Sequence, residues 1–184
     1  MMLKPSDTWS WYYDEQQCSL MLNLGEDMIF KTNLVRNKLV DCAFRDNEFT
    51  VDDASSYQTF KEQISGLELS EPRQAELALY CVAAKRFHKP VQPKSWFFDS
   101  QGAGHESPQE GDIVQMNNEH SLGYFIVLEV GECASLCAFV DLEEFLLTPS
   151  KGLSFGDSIK VMHDRMVDAN SILHFHHTHI AMVG

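Results

Sequence analysis

The chain has 184 residues, 44% apolar and 22% charged, with 12 Phe, 5 Tyr and 3 Trp, a globular composition with enough bulk to build a core. Its 27 acidic residues against 14 Lys and Arg give a net charge of −13, which disfavours nucleic acid because phosphate binding needs a broad basic footprint. Five scattered cysteines, Cys18, Cys42, Cys81, Cys133 and Cys137, do not make a disulfide framework, and without an apolar leader or an apolar run near about 18 residues the expectation is a cytoplasmic protein with no membrane span.

In chain order, Trp9 to Asp14 is aromatic and β-prone, Cys18 to Leu24 reads as a second strand, and Met28 to Lys31 begins a third after the turn signal Gly25-Glu26-Asp27. Leu34 to Leu39 carries Arg36 and Lys38 and reads as a short helical turn. Asp52 or Asp53 is expected to cap a helix running to about Ser65, with Tyr57, Phe60 and Ile64 on one stripe and Gly66 as its stop. Ser70 caps a second helix with Glu71 and Pro72 in its first turn. From Ala75 to Ala84 that helix is apolar on nearly all sides, which predicts burial, and Pro90 ends it with Lys89 extended.

Beyond Pro93 the elements become short strands. Trp96 to Phe98 is expected to start a sheet, and Ser100 to Glu110 reads as a loop. Strands are expected over Ile113 to Met116, Gly123 to Val130, Cys133 to Val140, Ser158 to His163 and Ile172 to Val183. The fold class is therefore α+β. An N-terminal mixed α/β domain, residues 1–92, precedes a small C-terminal β-barrel-like domain, residues 93–184.

Residues 77 to 98 contain no acid, yet hold Lys85, Arg86, Lys89 and Lys94. The stretch to Ala84 lacks acids because a buried helix excludes them. From Lys85 to Phe98 the charges surround Pro90, Pro93, Trp96, Phe97 and Phe98, a basic rim around an apolar centre that suits an acidic, apolar partner. The tail His174-Phe175-His176-His177-Thr178-His179 offers two imidazoles per face of a strand, whereas zinc takes three or four ligands, so a solvated or partner-facing strand is the simpler reading. Cys133 and Cys137 have the wrong spacing for a zinc knuckle and read as two small core residues. No nucleotide-binding glycine loop, nucleophile elbow or metalloprotease motif occurs. No metal, cofactor or catalytic residue is expected.

Four blocks carry a resemblance: Lys4-Pro5-x-Asp7-x-Trp9-x-Trp11-Tyr12-Tyr13-Asp14; Val51-Asp52-Asp53-Ala54-x-x-Tyr57-x-x-Phe60; the run through Leu69-Ser70, Ala75-Glu76-Leu77, Ala84, Arg86, Lys89-Pro90 and Pro93-Lys94-Ser95-Trp96; and Gly156-Asp157-x-Ile159-Lys160-x-Met162-x-Asp164-Arg165. In register across most of the chain, they resemble the ZapC family of cell-division proteins, from which the His-rich tail departs. The resemblance implies a non-enzymatic cytoplasmic protein at the mid-cell division ring. Its implied partner is FtsZ, as polymer and with the FtsZ C-terminal tail as a further candidate contact, and it is implied to promote lateral bundling of protofilaments. It also implies a pocket in each of two domains. Partner-binding positions carried over on matching residues are Leu22, Lys89, Lys94, Trp96, Lys160 and Arg165. The expectation is a monomer bound to neither nucleic acid nor membrane. The alternative is a metal-binding enzyme or small-molecule sensor using the His-rich strand or an interdomain pocket.

Overall fold

The computed structural model describes residues 3–102, 104 and 107–169. It divides into two compact units, one made of residues up to 62 with 69–90, the other of 63–68 with the residues from 91 onward. Two helices and several antiparallel sheets make it an α+β protein.

The first unit opens with β1 (Ser10–Asp14), β2 (Ser19–Gly25) and β3 (Met28–Val35). A two-residue strand, β4 (Asn47–Glu48), pairs on the far side of β1, so the antiparallel order is β3-β2-β1-β4. The β2–β3 turn is tight because Glu26 and Asp27 both adopt positive φ, 51° and 62°, between paired Gly25 and Met28. Two left-handed residues give the twist that a two-residue hairpin needs. β3 continues to Val35, and the expected helical turn is a 3-10 turn over Arg36–Lys38.

The first helix, α1 (Val51–Ile64), begins before either expected cap. Thr50 is the capping residue: its Oγ1 accepts from the Asp53 amide at 3.1 Å, and the Asp53 carboxylate accepts from the Thr50 amide at 3.0 Å. This is a capping box whose N-cap lies two residues before the aspartate pair, with Asp53 as its third helical residue. The second, α2 (Glu71–Phe87), has Ser70 as its N-cap, accepting from the Arg73 amide, and Pro72 in its first turn. Its run from Leu77 to Ala84 is buried except at Tyr80, as an all-round apolar helix requires. It ends at Phe87, ahead of Pro90. The chain there is held extended by Lys89 donating to the Lys38 carbonyl at 2.8 Å and Val40 to the Phe87 carbonyl at 2.9 Å.

The core of this unit gathers round Trp11, which is fully buried, stacks on Phe49 with ring centroids 5.8 Å apart, and meets Phe87 edge-on at 5.4 Å. β2 lies between two strands and buries Ser19 to Leu22 on both faces. Buried Ser19 is satisfied by donating to the Thr32 carbonyl at 2.9 Å, and Thr32 by donating to the Leu20 carbonyl at 2.7 Å.

In the second unit, β5 (Ile113–Asn117), β6 (Leu122–Val130), β7 (Ala134–Phe139), β10 (Ser158–Met162) and the short β11 (Val167–Asp168) form an antiparallel sheet ordered β10-β7-β6-β5-β11. Between β7 and β10 in sequence, β8 (Phe145–Thr148) and β9 (Lys151–Leu153) form a separate hairpin. Among the described residues the five-stranded ladder is open, its outer strands being β10 and β11, with no closure into a barrel. Its core holds four phenylalanines, Phe98, Phe125, Phe139 and Phe145, with ring centroids 5.3–5.9 Å apart. Cys137 belongs to that core, whereas Cys133 lies before β7 and is exposed, so the two cysteines do not share a buried face.

The expected strand at Trp96–Phe98 is instead a 3-10 turn over Ser95–Phe97. The Lys94 amide donates to the Lys160 carbonyl at 2.8 Å, and the Ser95 hydroxyl accepts from the Met162 amide at 2.8 Å. One backbone bond and one side-chain bond thus occupy the outer edge of β10, after which the chain turns to bury Phe98. The expected strand Ile172–Val183 lies outside the described residues, as does the His-rich segment.

Candidate interaction surface

The six carried-over positions fall into different environments. Leu22 is fully buried in β2, opposite Trp11 on one side and Phe30 on the other. It is a core residue and presents no surface to a partner; its contribution is to hold the sheet. Lys89 is exposed, with its backbone tied to Lys38.

The other four belong to the second unit and cluster around β10 and the 3-10 turn. Trp96 is 70% exposed, although a tryptophan is ordinarily among the more buried residues. The reason is geometric. Ser95 and Phe98, three apart, turn inward to bond β10 and to fill the phenylalanine core, and that leaves Trp96 outside. Its ring leans on Phe97, with centroids 5.5 Å apart. Lys94 precedes it and is exposed. Lys160 follows Ile159 in β10, half-buried beside inward-facing neighbours. Arg165 donates to the Phe98 carbonyl at 2.7 Å and meets Asp164 at 3.2 Å, so its guanidinium anchors the exit of the aromatic segment.

Two residues absent from the sequence reading complete the surface. Lys151 in β9 places its ammonium 5.3 Å from the Phe97 ring centroid, within cation–π range. Asn118 donates to the carbonyls of both Phe97 and Leu146, each at 2.9 Å, fixing the aromatic turn to the β8 strand. No local pattern marks either one, since both arrive through the sheet's connectivity.

The surface is suited to non-covalent capture: an exposed indole leaning on Phe97, with Lys94 two residues before it and Lys151 over the Phe97 ring. Among the described residues, no group of three or more His, Cys, Asp or Glu is arranged to hold a metal ion. Among the described residues no helix is long and apolar enough to cross a membrane. Burial pushes the Cys81 and Cys137 thiols well above the usual thiol range, which keeps both inert.

Comparison with known proteins gives two adjoining family matches. Residues 2–89 match the N-terminal part of cell-division protein ZapC and residues 90–171 match its C-terminal part. The chain belongs to the ZapC family of cell-division proteins. A cell division protein ZapC from Vibrio cholerae serotype O1 is 65% identical over 173 residues, covering 94% of this chain and 96% of its own length. Those from Aliivibrio salmonicida and Photobacterium profundum are 55% and 48% identical, each across the full length of both chains. The second ZapC match ends at residue 171, before the four histidines of the tail. The basic aromatic segment straddles the position where the two ZapC matches meet.

Proposed function

We propose that this chain binds FtsZ and promotes lateral association of its protofilaments, acting as a non-enzymatic cytoplasmic adaptor at the mid-cell division ring. The supporting observation is an exposed Trp96 beside Phe97, with Lys94 and Lys151 at its margin, in a member of a cell-division family. In this proposal residues 1–92 and 93–184 act as two domains, and Lys85 to Phe98 is the segment that joins them.

A truncated aromatic anchor at the centre of an interface typically costs ~2 kcal/mol or more, whereas an exposed ion pair contributes about 0–1 kcal/mol. Trp96 therefore supplies affinity. Lys89, Lys94, Lys160 and Arg165 supply orientation and association rate. The net charge of −13 on this chain is no obstacle to meeting an acidic partner, because at physiological salt charges beyond roughly 8 Å are screened.

Co-sedimentation with FtsZ polymers tests the reading. The wild-type chain is expected in the pellet with bundled filaments. Trp96→Ala is expected to leave the chain folded and in the supernatant, and Lys94→Asp to weaken pelleting most at low salt. Repeating the assay with FtsZ lacking its C-terminal tail separates tail capture from binding to the filament body. Undiminished pelleting of both variants would remove this segment from the interface.

A further inference from the structure

From Ser95 to Ser150 the chain carries ten acidic residues and neither lysine nor arginine. An even spread of its 14 Lys and Arg would place about four there. Four of the eight large apolar side chains exposed among the described residues lie in this stretch: Leu122 at 60% and Leu142 at 57%, with Trp96 and Val130.

The fold holds the two leucines beside one another. Asp141 accepts from the Tyr124 amide at 3.1 Å, and Ser121 accepts from the Leu146 amide at 2.9 Å, so residues 141–146 run alongside 121–124. Leu142 lies between those two ties on one segment and Leu122 between them on the other. Leu122 faces outward because Gly123, the next residue, is turned to the Phe139 and Phe145 rings, and neighbours on a strand alternate. A singly exposed leucine is ordinary; two held together make a patch.

The rim of the patch is acidic. Glu119 sits in the turn that leads into Leu122, and Glu143 and Glu144 follow Leu142, all three exposed. Asp141 is half-buried and close enough to Glu143 for the second carboxylate to add to the rise in its pKa. Among the described residues no lysine or arginine pairs with Asp141, Glu143 or Glu144, and Glu119 meets the neighbouring His120 at 3.2 Å. Like charges gathered round an apolar pair without a counter-ion are a local cost in the free chain, which a cation brought by a partner relieves.

We propose that Leu122 and Leu142 form a docking site for a segment of another protein that presents an aliphatic or aromatic side chain flanked by lysine or arginine. Covering the leucines supplies affinity, and the carboxylates select the flanking cations. The site shares no residue with the Trp96 surface and has the opposite charge, so it does not rest on the FtsZ reading: an acidic partner that suits Trp96 is repelled here.

Fluorescence anisotropy of the full chain with labelled synthetic peptides tests it. The probes are leucine–lysine, leucine–glutamate and serine–lysine peptides of equal length. The leucine–lysine peptide is expected to bind, and the other two at least about tenfold more weakly. Leu122→Ser with Leu142→Ser, at positions already exposed, is expected to weaken the leucine–lysine complex by about tenfold or more while the circular dichroism stays native. Glu119→Gln with Glu143→Gln is expected to weaken it by a similar factor. Glu26→Gln with Asp27→Asn, the same change of charge in the β2–β3 turn of the first unit, is expected to leave it within about twofold. No binding, binding indifferent to the leucine pair, or equal weakening by both charge pairs overturns the proposal. So does a dimer in sedimentation equilibrium that dissociates in Leu122→Ser with Leu142→Ser, which makes a second copy the occupant. Should the leucine variant fail to fold, the contrast between the two charge pairs decides alone: a difference supports the site and its absence refutes it.

Discussion

Asp53 and Arg86, 33 residues apart, form an ion pair in which the carboxylate is almost wholly buried and the guanidinium partly so. The same carboxylate oxygen accepts from the Trp11 indole at 3.1 Å and from the Thr50 amide at 3.0 Å. Arg86 in turn donates to the Glu48 carbonyl at 2.8 Å. One aspartate therefore ties β1, the start of α1 and the end of α2 together. The isolated Arg86 of the acid-free window thus has a structural partner.

Removing the shared acceptor strands three donors, whereas removing Arg86 leaves the buried Asp53 carboxylate without its counter-charge and the Glu48 carbonyl without that donor. Asp53→Ala and Arg86→Ala each break the buried pair and are each expected to cost about 3–5 kcal/mol of unfolding free energy. Urea unfolding of the two variants checks this, and a loss below about 1 kcal/mol in either, the size of an exposed pair, would contradict the buried-pair geometry.

Leu22 and Trp96 are expected to behave oppositely. Leu22→Ala removes a fully buried side chain and should lower stability by about 2–5 kcal/mol. Trp96→Ala removes an exposed one and should change stability by no more than ~0.5 kcal/mol. Thermal unfolding alongside the pelleting assay separates the two. Any loss of partner binding in Leu22→Ala should track the fraction unfolded, and that in Trp96→Ala should not.

Gly123 in β6 is a packing glycine. A methyl group there would lie 2.8 Å from the Phe145 ring and 2.9 Å from the Phe139 ring, inside a cluster with no slack. Gly123→Ala is therefore expected to destabilise by about 1–3 kcal/mol, read by denaturant midpoint, through overpacking.

The Asp141 carboxyl is pushed above the usual carboxylate range, chiefly by burial and further by Glu143, while its hydrogen bond from the Tyr124 amide at 3.1 Å pulls the other way. Between the unfolded and folded values the native state holds the extra proton, so this group's contribution to stability falls as pH rises through the folded value. Asp141→Asn keeps an acceptor for Tyr124 without the buried charge. It is expected to be at least as stable as the wild type at neutral pH, with the difference shrinking as pH falls into the carboxylate range. Unfolding measured across pH checks this, and a difference that grows on acidification would reverse the assignment.

Much of the local structure was legible because it rests on short-range rules. Ser70 with Glu71 and Pro72 marks a helix start, Gly25-Glu26-Asp27 marks a two-residue turn, and the unbroken apolar run to Ala84 marks a buried helix. The helix cap was misplaced because Thr50 lies two residues before the aspartate pair, where the reciprocal bond with Asp53 outweighs the residue type. The β8–β9 hairpin and the two-residue strands β4 and β11 were missed, being too short to show alternation and dependent on their partners for existence.

By itself the sequence determined the α+β class, the positions of the longer strands and helices, and a basic aromatic segment on an acidic chain, since each follows from neighbours a few residues apart. The tertiary structure decided which of those residues meet solvent. It buried Leu22 between two strands, turned Trp96 outward because Ser95 and Phe98 were drawn in, and brought Lys151 to Phe97 from 54 residues away. Exposure depends on contacts distant in sequence, so no local pattern fixes whether a tryptophan fills a core or faces a partner.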